Sequence, residues 1–159
     1  MAAPKYWLMK SEPDVYSIED LRKAGSDHWE GIRNYQARNF LREMAVGDMA
    51  LFYHSNAKPP GVAGVARICR LAYPDHTQFD TKSKYFDAKS SPDDPRWSMV
   101  DVEFVEVLPN YVSLQDLRDD AELEDLQVLR KGQRLSIQPV SRAHFNRVLK
   151  LGKSKTPVR

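Results

Sequence analysis

The chain has 159 residues and a formal net charge of +2, with 42% apolar and 29% charged residues. This length and composition fit one soluble domain that buries a core without disulfide or metal staples. No apolar run approaches the length of a membrane span, and residues 1–10 lack the apolar segment of a signal peptide. We therefore expect no membrane partner.

The single cysteine, Cys69, excludes an internal disulfide and a cysteine-based zinc site. Its neighbours, VARICRL, are typical of a buried strand, so we expect a structural thiol. Free thiols of this kind persist in reducing compartments, which predicts a cytoplasmic protein.

Charge is distributed unevenly along the chain. Between Leu126 and the C-terminus there are nine Lys or Arg residues and no acid, whereas residues 101–125 hold nine acids and one arginine. This asymmetry predicts one face that meets phosphate and an opposite face that does not. The basic residues 153–159 alone are equally typical of a flexible, solvated tail, and we expect them to be flexible.

In chain order, residues 6–10 predict a short strand, and Ser17 predicts the capped start of a helix that ends at Gly25. Asn34 is suited to cap a second helix, because apolar residues follow it at helical spacing. The residues at that spacing, which we expect to face the core, are Ala37, Phe40, Leu41 and Met44.

Strands dominate the rest of the chain, and they are predicted at residues 49–54, 62–73, 100–104 and 135–139. The polar stretch 74–95 is long for a loop in so small a domain, so we expect it to be functional or mobile. Ser113 and Ser141 each predict a helix start. Since strands interrupt the helices throughout, the predicted fold class is α+β, a small barrel of mixed strands with peripheral helices.

Familiar catalytic and cofactor templates are absent, because the sequence has no G-x-G-x-x-G, no Walker loop and no G-x-S-x-G. The four histidines, His28, His54, His76 and His144, lack ligand spacing. A metal site would therefore need ligands from distant segments. We expect no cofactor, no metal and no enzymatic activity.

The first polar cluster is Lys10-Ser11-Glu12, at the end of the first strand. Alternation along a strand puts Lys10 and Glu12 on one side and Ser11 on the other. The proline that follows holds Glu12 extended. A ligand pocket and a surface ion pair both explain this pattern.

The second cluster runs from Trp29 to Asn39. Trp29 and Tyr35 offer flat faces, Arg33 and Arg38 offer planar donors, and two asparagines can donate and accept, as a base edge requires. Aromatic rings interleaved with such groups are typical of proteins that bind unstacked bases. The alternative is a core tryptophan beside arginines on a solvated helix face.

The third cluster is His54-Ser55-Asn56, where a strand ends. His54 and Ser55 are adjacent on a strand and point to opposite faces, so they do not form a base–nucleophile pair. Hydrogen bonding to a ligand and capping of the following turn both remain open.

At these clusters the sequence resembles the EVE domain family. The blocks that carry the resemblance are YWLMKSEP, WEGIRNYQARNFLR, VGDMALFYHSN, PPGVAGVARI, YPDHTQFD and LRKGQRLSIQPVS, in this order. They cover nearly the whole chain, which implies a single EVE domain over residues 1–159. The resemblance implies a PUA-like open β-barrel, akin to YTH readers of methylated adenine, that binds DNA or RNA carrying modified bases, particularly modified cytosine.

The resemblance also implies the site. Its base pocket should comprise Lys10, Ser11, Glu12, Trp29, Ile32, Arg33, Asn34, Tyr35, Asn39, His54, Ser55, Asn56, Ser136, Gln138 and Pro139. Contacts to the phosphate backbone should come from Arg33, Arg38, Arg42, Arg130, Lys131 and Arg134. In this hypothesis a monomeric reader stacks one extruded base on Trp29 or Tyr35. The alternatives are a hydrolase of a modified nucleoside, which would use Lys10 and Glu12, and a module that binds a small molecule or a protein.

Overall fold

The computed structural model describes residues 3–156, which form six strands, four α-helices and three short 3-10 helices. The strands are β1 (Tyr6–Ser11), β2 (Ser26–His28), β3 (Met49–His54), β4 (Gly61–Pro74), β5 (Ser98–Ser113) and β6 (Ile137–Val140). The α-helices are α1 (Ile18–Ala24), α2 (Tyr35–Glu43), α3 (Leu114–Arg118) and α4 (Arg142–Leu151). The 3-10 helices are His76–Phe79, Ala121–Leu123 and Gln127–Leu129.

All six strands belong to one mixed sheet in the order β2-β5-β4-β3-β1-β6. β1 and β3 are parallel, and the other neighbouring pairs are antiparallel. The predicted α+β class with mixed strands is confirmed. Closure into a barrel is not confirmed, because among the described residues β2 and β6 form the two edges of the sheet and do not pair with each other.

Helices cover both faces of the sheet, and β1 shows why. Its side chains alternate, so Trp7 and Met9 join one buried cluster while Tyr6 and Leu8 join another. The first cluster includes residues of α1 and α2, and the second includes residues of α3 and α4. A strand buried on both faces accounts for the nearly continuous apolar run at the start of the chain.

The predicted helix starts are confirmed at three serines and one asparagine. Ser17 and Asp20 form a capping box, and Gly25 ends α1 with a φ of 80°. The Asn34 side chain accepts a hydrogen bond from the N–H of Ala37, and Ser113 and Ser141 cap α3 and α4. α1 packs so closely on β4 that a Cβ at Gly64 would lie 2.5 Å from Cγ1 of Ile18. These local signals were readable because a cap is a contact between near neighbours in sequence.

Other details differ from the sequence prediction. β2 was not predicted, because its three residues carry no apolar alternation. The long polar stretch holds a 3-10 helix, and its Asp75 and Gln78 are fully buried. Cys69 lies in β4 as expected, but it is half-buried rather than buried, and burial raises the pKa of its thiol.

Part of the predicted basic tail contacts the sheet. Ser154 and Thr156 donate hydrogen bonds to the Glu106 carboxylate through their hydroxyl groups. Residues 157–159 lie outside the described residues, so the predicted flexibility of the tail stays a prediction. Within the described residues, no helix is long and apolar enough to cross a membrane.

Candidate functional site

A cavity of about 1180 Å³ opens beside the carboxyl ends of β1 and β3. Because these strands are parallel, Ser11 lies beside His54, and the first and third polar clusters meet there. The N–H of Ser55 donates to the carbonyl of Ser11 at 3.0 Å. The Asn56 side chain donates to the Glu12 carboxylate at 3.2 Å. Parallel pairing therefore builds one wall from two segments that are far apart in sequence.

The apolar wall of the cavity comes from Trp29 and Ile32, which are 9% and 7% exposed. The Trp29 ring packs edge to face on Phe52, with 5.5 Å between ring centroids, and its backbone N–H donates to Val100 at 2.8 Å. Trp29 thus belongs to the core and also lines the cavity. The interpretation of Trp29 as a core residue is confirmed, and its contact with a base stays a prediction.

Carboxylates line another side. The Tyr16 hydroxyl donates to Oδ2 of Asp27 at 2.7 Å, and the Ser11 hydroxyl donates to the carbonyl of Tyr16 at 2.6 Å. Burial, and then the hydrogen bond to Asp27, raise the pKa of Tyr16 well above its usual range, so Tyr16 stays a donor at neutral pH. Asp27 is held as an oriented acceptor in the cavity, which Glu12 and Glu30 also line.

Three cations, Lys10, Lys84 and Arg134, also line the cavity. The Lys10 ammonium lies 3.4 Å from the carbonyl of Gln133 and 5.9 Å from the centroid of the Tyr53 ring. Burial lowers the pKa of Lys10. The cavity therefore combines a flat ring, hydrogen-bond acceptors and positive charge within one concave surface.

Arg33 lies outside this cavity and is saturated by the protein. A guanidinium has five N–H donors. Its Nε and Nη2 donate to the carbonyl of Tyr85 at 3.0 and 2.8 Å, and Nη1 donates to Oδ2 of Asp75 at 3.1 Å. The remaining two donors reach Ile32 and Thr77. This geometry leaves Arg33 no free donor for a base or phosphate, and the contact that the resemblance implies stays a prediction.

Asp75, the partner of Arg33, is fully buried. Burial by itself would raise the pKa of this carboxyl group, but hydrogen bonds from Thr77, Gly31 and Arg33 outweigh burial and hold the pKa below its ordinary value. The ionised Asp75 ties the loop before α2 to the segment after β4. Arg33 and Asp75 form a structural clamp.

Three more predicted site residues contact other parts of the protein, namely Tyr35, Arg38 and Arg42. The Tyr35 ring stacks on Trp97 with 4.9 Å between centroids, and Arg38 lies 4.7 Å above Tyr35. Arg38 donates to the carbonyl of Arg96, and Arg42 donates to the hydroxyl of Ser98, each at 3.0 Å. These three residues hold the entry to β5, so they stand apart from the cavity on which the predicted pocket was to be built.

The predicted pocket residues divide into two groups. Those that line the cavity are Lys10, Ser11, Glu12, Trp29, Ile32, Ser55, Asn56 and Ser136. The predicted residues that do not line it are Arg33, Asn34, Tyr35, Asn39, His54, Gln138 and Pro139.

The second group has specific local partners. Asn34 caps α2, and the Asn39 side chain accepts from Arg38 at 2.8 Å. His54 Nε2 accepts from the N–H of Ile18 at 3.2 Å, so it holds the start of α1 and is not paired with the adjacent Ser55.

The two β6 residues are also placed away from the cavity. Gln138 is 1% exposed and donates to the carbonyl of Leu135 at 2.8 Å. Pro139 lines a separate cavity of about 490 Å³ beside Trp7. Neither residue lines the cavity, whereas Ser136, which directly precedes β6, does. The role of Gln138 and Pro139 in closing the pocket stays a prediction.

Among the predicted phosphate contacts, only Arg134 lines the cavity; Arg130 and Lys131 are exposed in the adjoining turn. Sequence reasoning missed several wall residues, namely Val15, Tyr16, Asp27, His28, Glu30, Gly31, Lys84, Tyr85 and Gln133. Lys84 and Tyr85 come from the long polar stretch, whose length was the one available signal that it had a role.

Comparison with known proteins identifies relatives of this chain. The EVE domain family matches residues 5–151. Human thymocyte nuclear protein 1 is 44% identical over 164 residues, which cover 92% of this chain and 73% of the human protein. A crystal structure of the human protein in complex with 5-methylcytosine-containing DNA is similar at a TM-score of 0.88, over 95% of this chain and 99% of that chain.

Two further solved structures are similar to this chain, one at high and one at low sequence identity. A crystal structure of a Pseudomonas putida protein is 50% identical at a TM-score of 0.90, covering 92% of this chain and 99% of that chain. The YTH domain of a Zygosaccharomyces rouxii protein, solved with N6-methyladenosine RNA, is 15% identical at a TM-score of 0.55, covering 94% and 87% of the two chains. At that identity the likeness concerns the fold alone.

Proposed function

This chain belongs to the EVE domain family, and we propose that it is a non-catalytic reader that binds a modified cytosine in DNA within the cavity beside β1 and β3. The human relative, 44% identical, was solved with DNA containing 5-methylcytosine. The observation that carries the proposal to this chain is the cavity wall itself. It joins the Trp29 ring, the carboxylates of Asp27 and Glu30, and the cations Lys10 and Arg134.

Energetics favour an extruded base in such a cavity. Flipping a base out of its stack costs a few kcal/mol, and stacking on an aromatic side chain returns about 1–3 kcal/mol. Ligand cavities are typically about 300–1,000 Å³, so a cavity of about 1180 Å³ has room for a nucleotide. Carboxylates suit the exocyclic amino group of cytosine, because an Asp or Glu accepts from that N–H₂ group.

Discrimination against unmodified cytosine rests on apolar contact. Trp29 and Ile32 provide the apolar surface in the cavity, and one buried methyl group is worth roughly 1 kcal/mol. That corresponds to a preference of about fivefold. The backbone phosphates are then held by Lys10, Lys84 and Arg134, in place of the saturated Arg33.

Replacing the aromatic wall tests the proposal. We expect Trp29→Leu, which keeps an apolar side chain in the core, to weaken binding of a 5-methylcytosine oligonucleotide by about tenfold, because the stacking surface is lost. Tyr35→Leu is the matched control, since it removes an aromatic ring from the same sequence block but outside the cavity. Fluorescence anisotropy measures both affinities, and urea denaturation shows that each variant is folded.

Unchanged affinity of a folded Trp29→Leu variant, or an equal loss in Tyr35→Leu, would contradict the proposal. The same assay with RNA oligonucleotides separates a DNA reader from an RNA reader. Affinity that does not fall with added salt would favour a module for a small molecule or a protein, because phosphate contacts release counterions. Mass-spectrometric loss of a modified nucleoside would favour the hydrolase.

We also propose that the protein is a monomer and that it acts in the cytoplasm.

A further inference from the structure

Three side chains from two distant segments meet beside the cavity, which His28 and Glu30 also line. The ligand atoms of His28, Glu30 and His76 all lie within 4.8 Å of one another. Nε2 of His28 is 2.8 Å from Oε1 of Glu30, and the rings of His28 and His76 meet edge to face with 5.2 Å between centroids. We propose that these three residues bind one zinc ion.

The donor set and its spacing fit the ion. Zinc takes histidine nitrogen and carboxylate oxygen at about 2.0–2.2 Å with tetrahedral geometry, which separates the ligand atoms by about 3.3 Å. That separation lies between the 2.8 Å contact of His28 with Glu30 and the 4.8 Å limit of the group. Small rotations of exposed side chains bring all three ligands into range.

The two segments are already locked together next to these ligands. Gly31, the neighbour of Glu30, donates its N–H to Oδ2 of Asp75 at 2.8 Å, and Asp75 is the neighbour of His76. The Arg33–Asp75 ion pair reinforces the same junction. A site whose ligands are held on fixed backbone needs little reorganisation to bind a metal.

The Asp27 carboxylate lies beside the other ring nitrogen of His28. Its Nδ1 lies 3.2 Å from Oδ1 of Asp27, and the other oxygen of Asp27 accepts the Tyr16 hydroxyl at 2.7 Å. Zinc-binding histidines characteristically present one ring nitrogen to the metal and the other to a carboxylate, which fixes the tautomer and raises ligand basicity. The order Tyr16, Asp27, His28 supplies that arrangement, with Nε2 toward Glu30.

Three protein ligands leave the fourth zinc position for water or another ligand. His28 and Glu30 line the cavity, so a zinc ion bound to them would lie next to it. The ion adds positive charge where Asp27 and Glu30 otherwise concentrate negative charge. Zinc binding requires no nucleic acid, so it is tested separately from the proposed base recognition, although Glu30 and Asp27 take part in both proposals.

Titration of zinc chloride into the metal-stripped, tag-free full chain tests the site by isothermal calorimetry. We expect one ion per chain. His28→Ala and His76→Ala should each weaken binding by about 100-fold or more, and Asp27→Asn by about 10–100-fold, the usual effect of losing an outer-shell partner. His144→Ala, which removes a histidine from α4, is the matched control and should bind as the wild type does.

Cobalt(II) provides a second readout, since a tetrahedral site gives strong visible absorption that His76→Ala should abolish. Circular dichroism shows whether each variant is folded. If His28→Ala does not fold, Glu30→Gln is used in its place. The proposal is overturned by the absence of one-to-one binding, by wild-type affinity in the His76→Ala variant, or by an equal loss in His144→Ala. Wild-type affinity in Asp27→Asn overturns the positioning role of Asp27.

Discussion

One sequence block, residues 29–39, supplies two regions with different tasks. Trp29 and Ile32 line the cavity, whereas Arg33, Tyr35 and Arg38 bind residues of the long stretch between β4 and β5. From sequence, the block predicted a single site, because aromatic, arginine and asparagine side chains alternate throughout it. The boundary between the two regions falls between adjacent residues, 32 and 33.

The difference teaches that residue type does not separate recognition from architecture. An arginine beside an aromatic ring suits a nucleic acid and suits a loop of the same protein equally well. The role of such an arginine depends on whether the fold already contains partners for its hydrogen-bond donors. Asp75 and the Tyr85 carbonyl satisfy Arg33, while Trp29 lines the cavity.

The largest expected effect concerns the clamp. Arg33→Ala removes the charged partner of a fully buried carboxylate, so we expect the free energy of unfolding to fall by about 3 kcal/mol or more. Arg38→Ala removes a cation that lies over the exposed Tyr35 ring, and it should lower the free energy of unfolding by less than about 1 kcal/mol. Urea denaturation measures the free energy of unfolding of both variants. Equal losses would show that Arg33 contributes no more to stability than Arg38 does.

Gly31 lies where the two regions meet and provides a test of intermediate size. Its φ is +85°, and an added Cβ would lie 2.6 Å from the Tyr85 ring. We expect Gly31→Ala to destabilise the protein by about 1–3 kcal/mol and to weaken oligonucleotide binding, because Tyr85 must leave the cavity wall. Thermal denaturation and anisotropy measure the two effects.

Gly47→Ala is the control for backbone strain, since Gly47 has a φ of +97° and nothing within 4 Å of an added Cβ. It should lose stability to a similar degree but keep its affinity for the oligonucleotide. If both variants lost affinity equally, the Tyr85 ring would have no part in the cavity.

The smallest expected effect distinguishes His54 from its neighbour Ser55. Burial lowers the pKa of His54 below 6.5, and its Nε2 accepts the N–H of Ile18 only while the ring is neutral. The unfolded chain therefore takes up the proton first as pH falls. Stability is fully present above about pH 6.5 and declines as pH falls toward the lower folded pKa.

The slope from this one group cannot exceed about 1.4 kcal/mol per pH unit. We expect His54→Gln to flatten the loss of stability between about pH 6.5 and pH 5, as measured by urea denaturation across that range. A variant with the same pH profile as the wild type would show that His54 does not contribute. Ser55→Ala should leave this profile unchanged.

Much of the local structure was predictable, and the reason is the range of the interactions. Caps at Ser17, Asn34 and Ser141 are contacts within one helical turn. A short strand was predicted where β1 lies, and alternation of side chains placed the centre of β5. The short β2 escaped prediction, because its three residues depend on pairing with β5 rather than on a pattern of their own.

The sequence by itself determined the mixed α+β class, the helix starts and the two clusters that end β1 and β3, because these follow from propensity, capping and periodicity. Only the tertiary structure decided which polar residues share a wall. Parallel pairing brought Ser11 beside His54, and the long polar stretch delivered Tyr85 to the cavity and Asp75 to Arg33. Contacts between segments forty or more residues apart depend on the packing of the whole sheet, which no local pattern in the chain records.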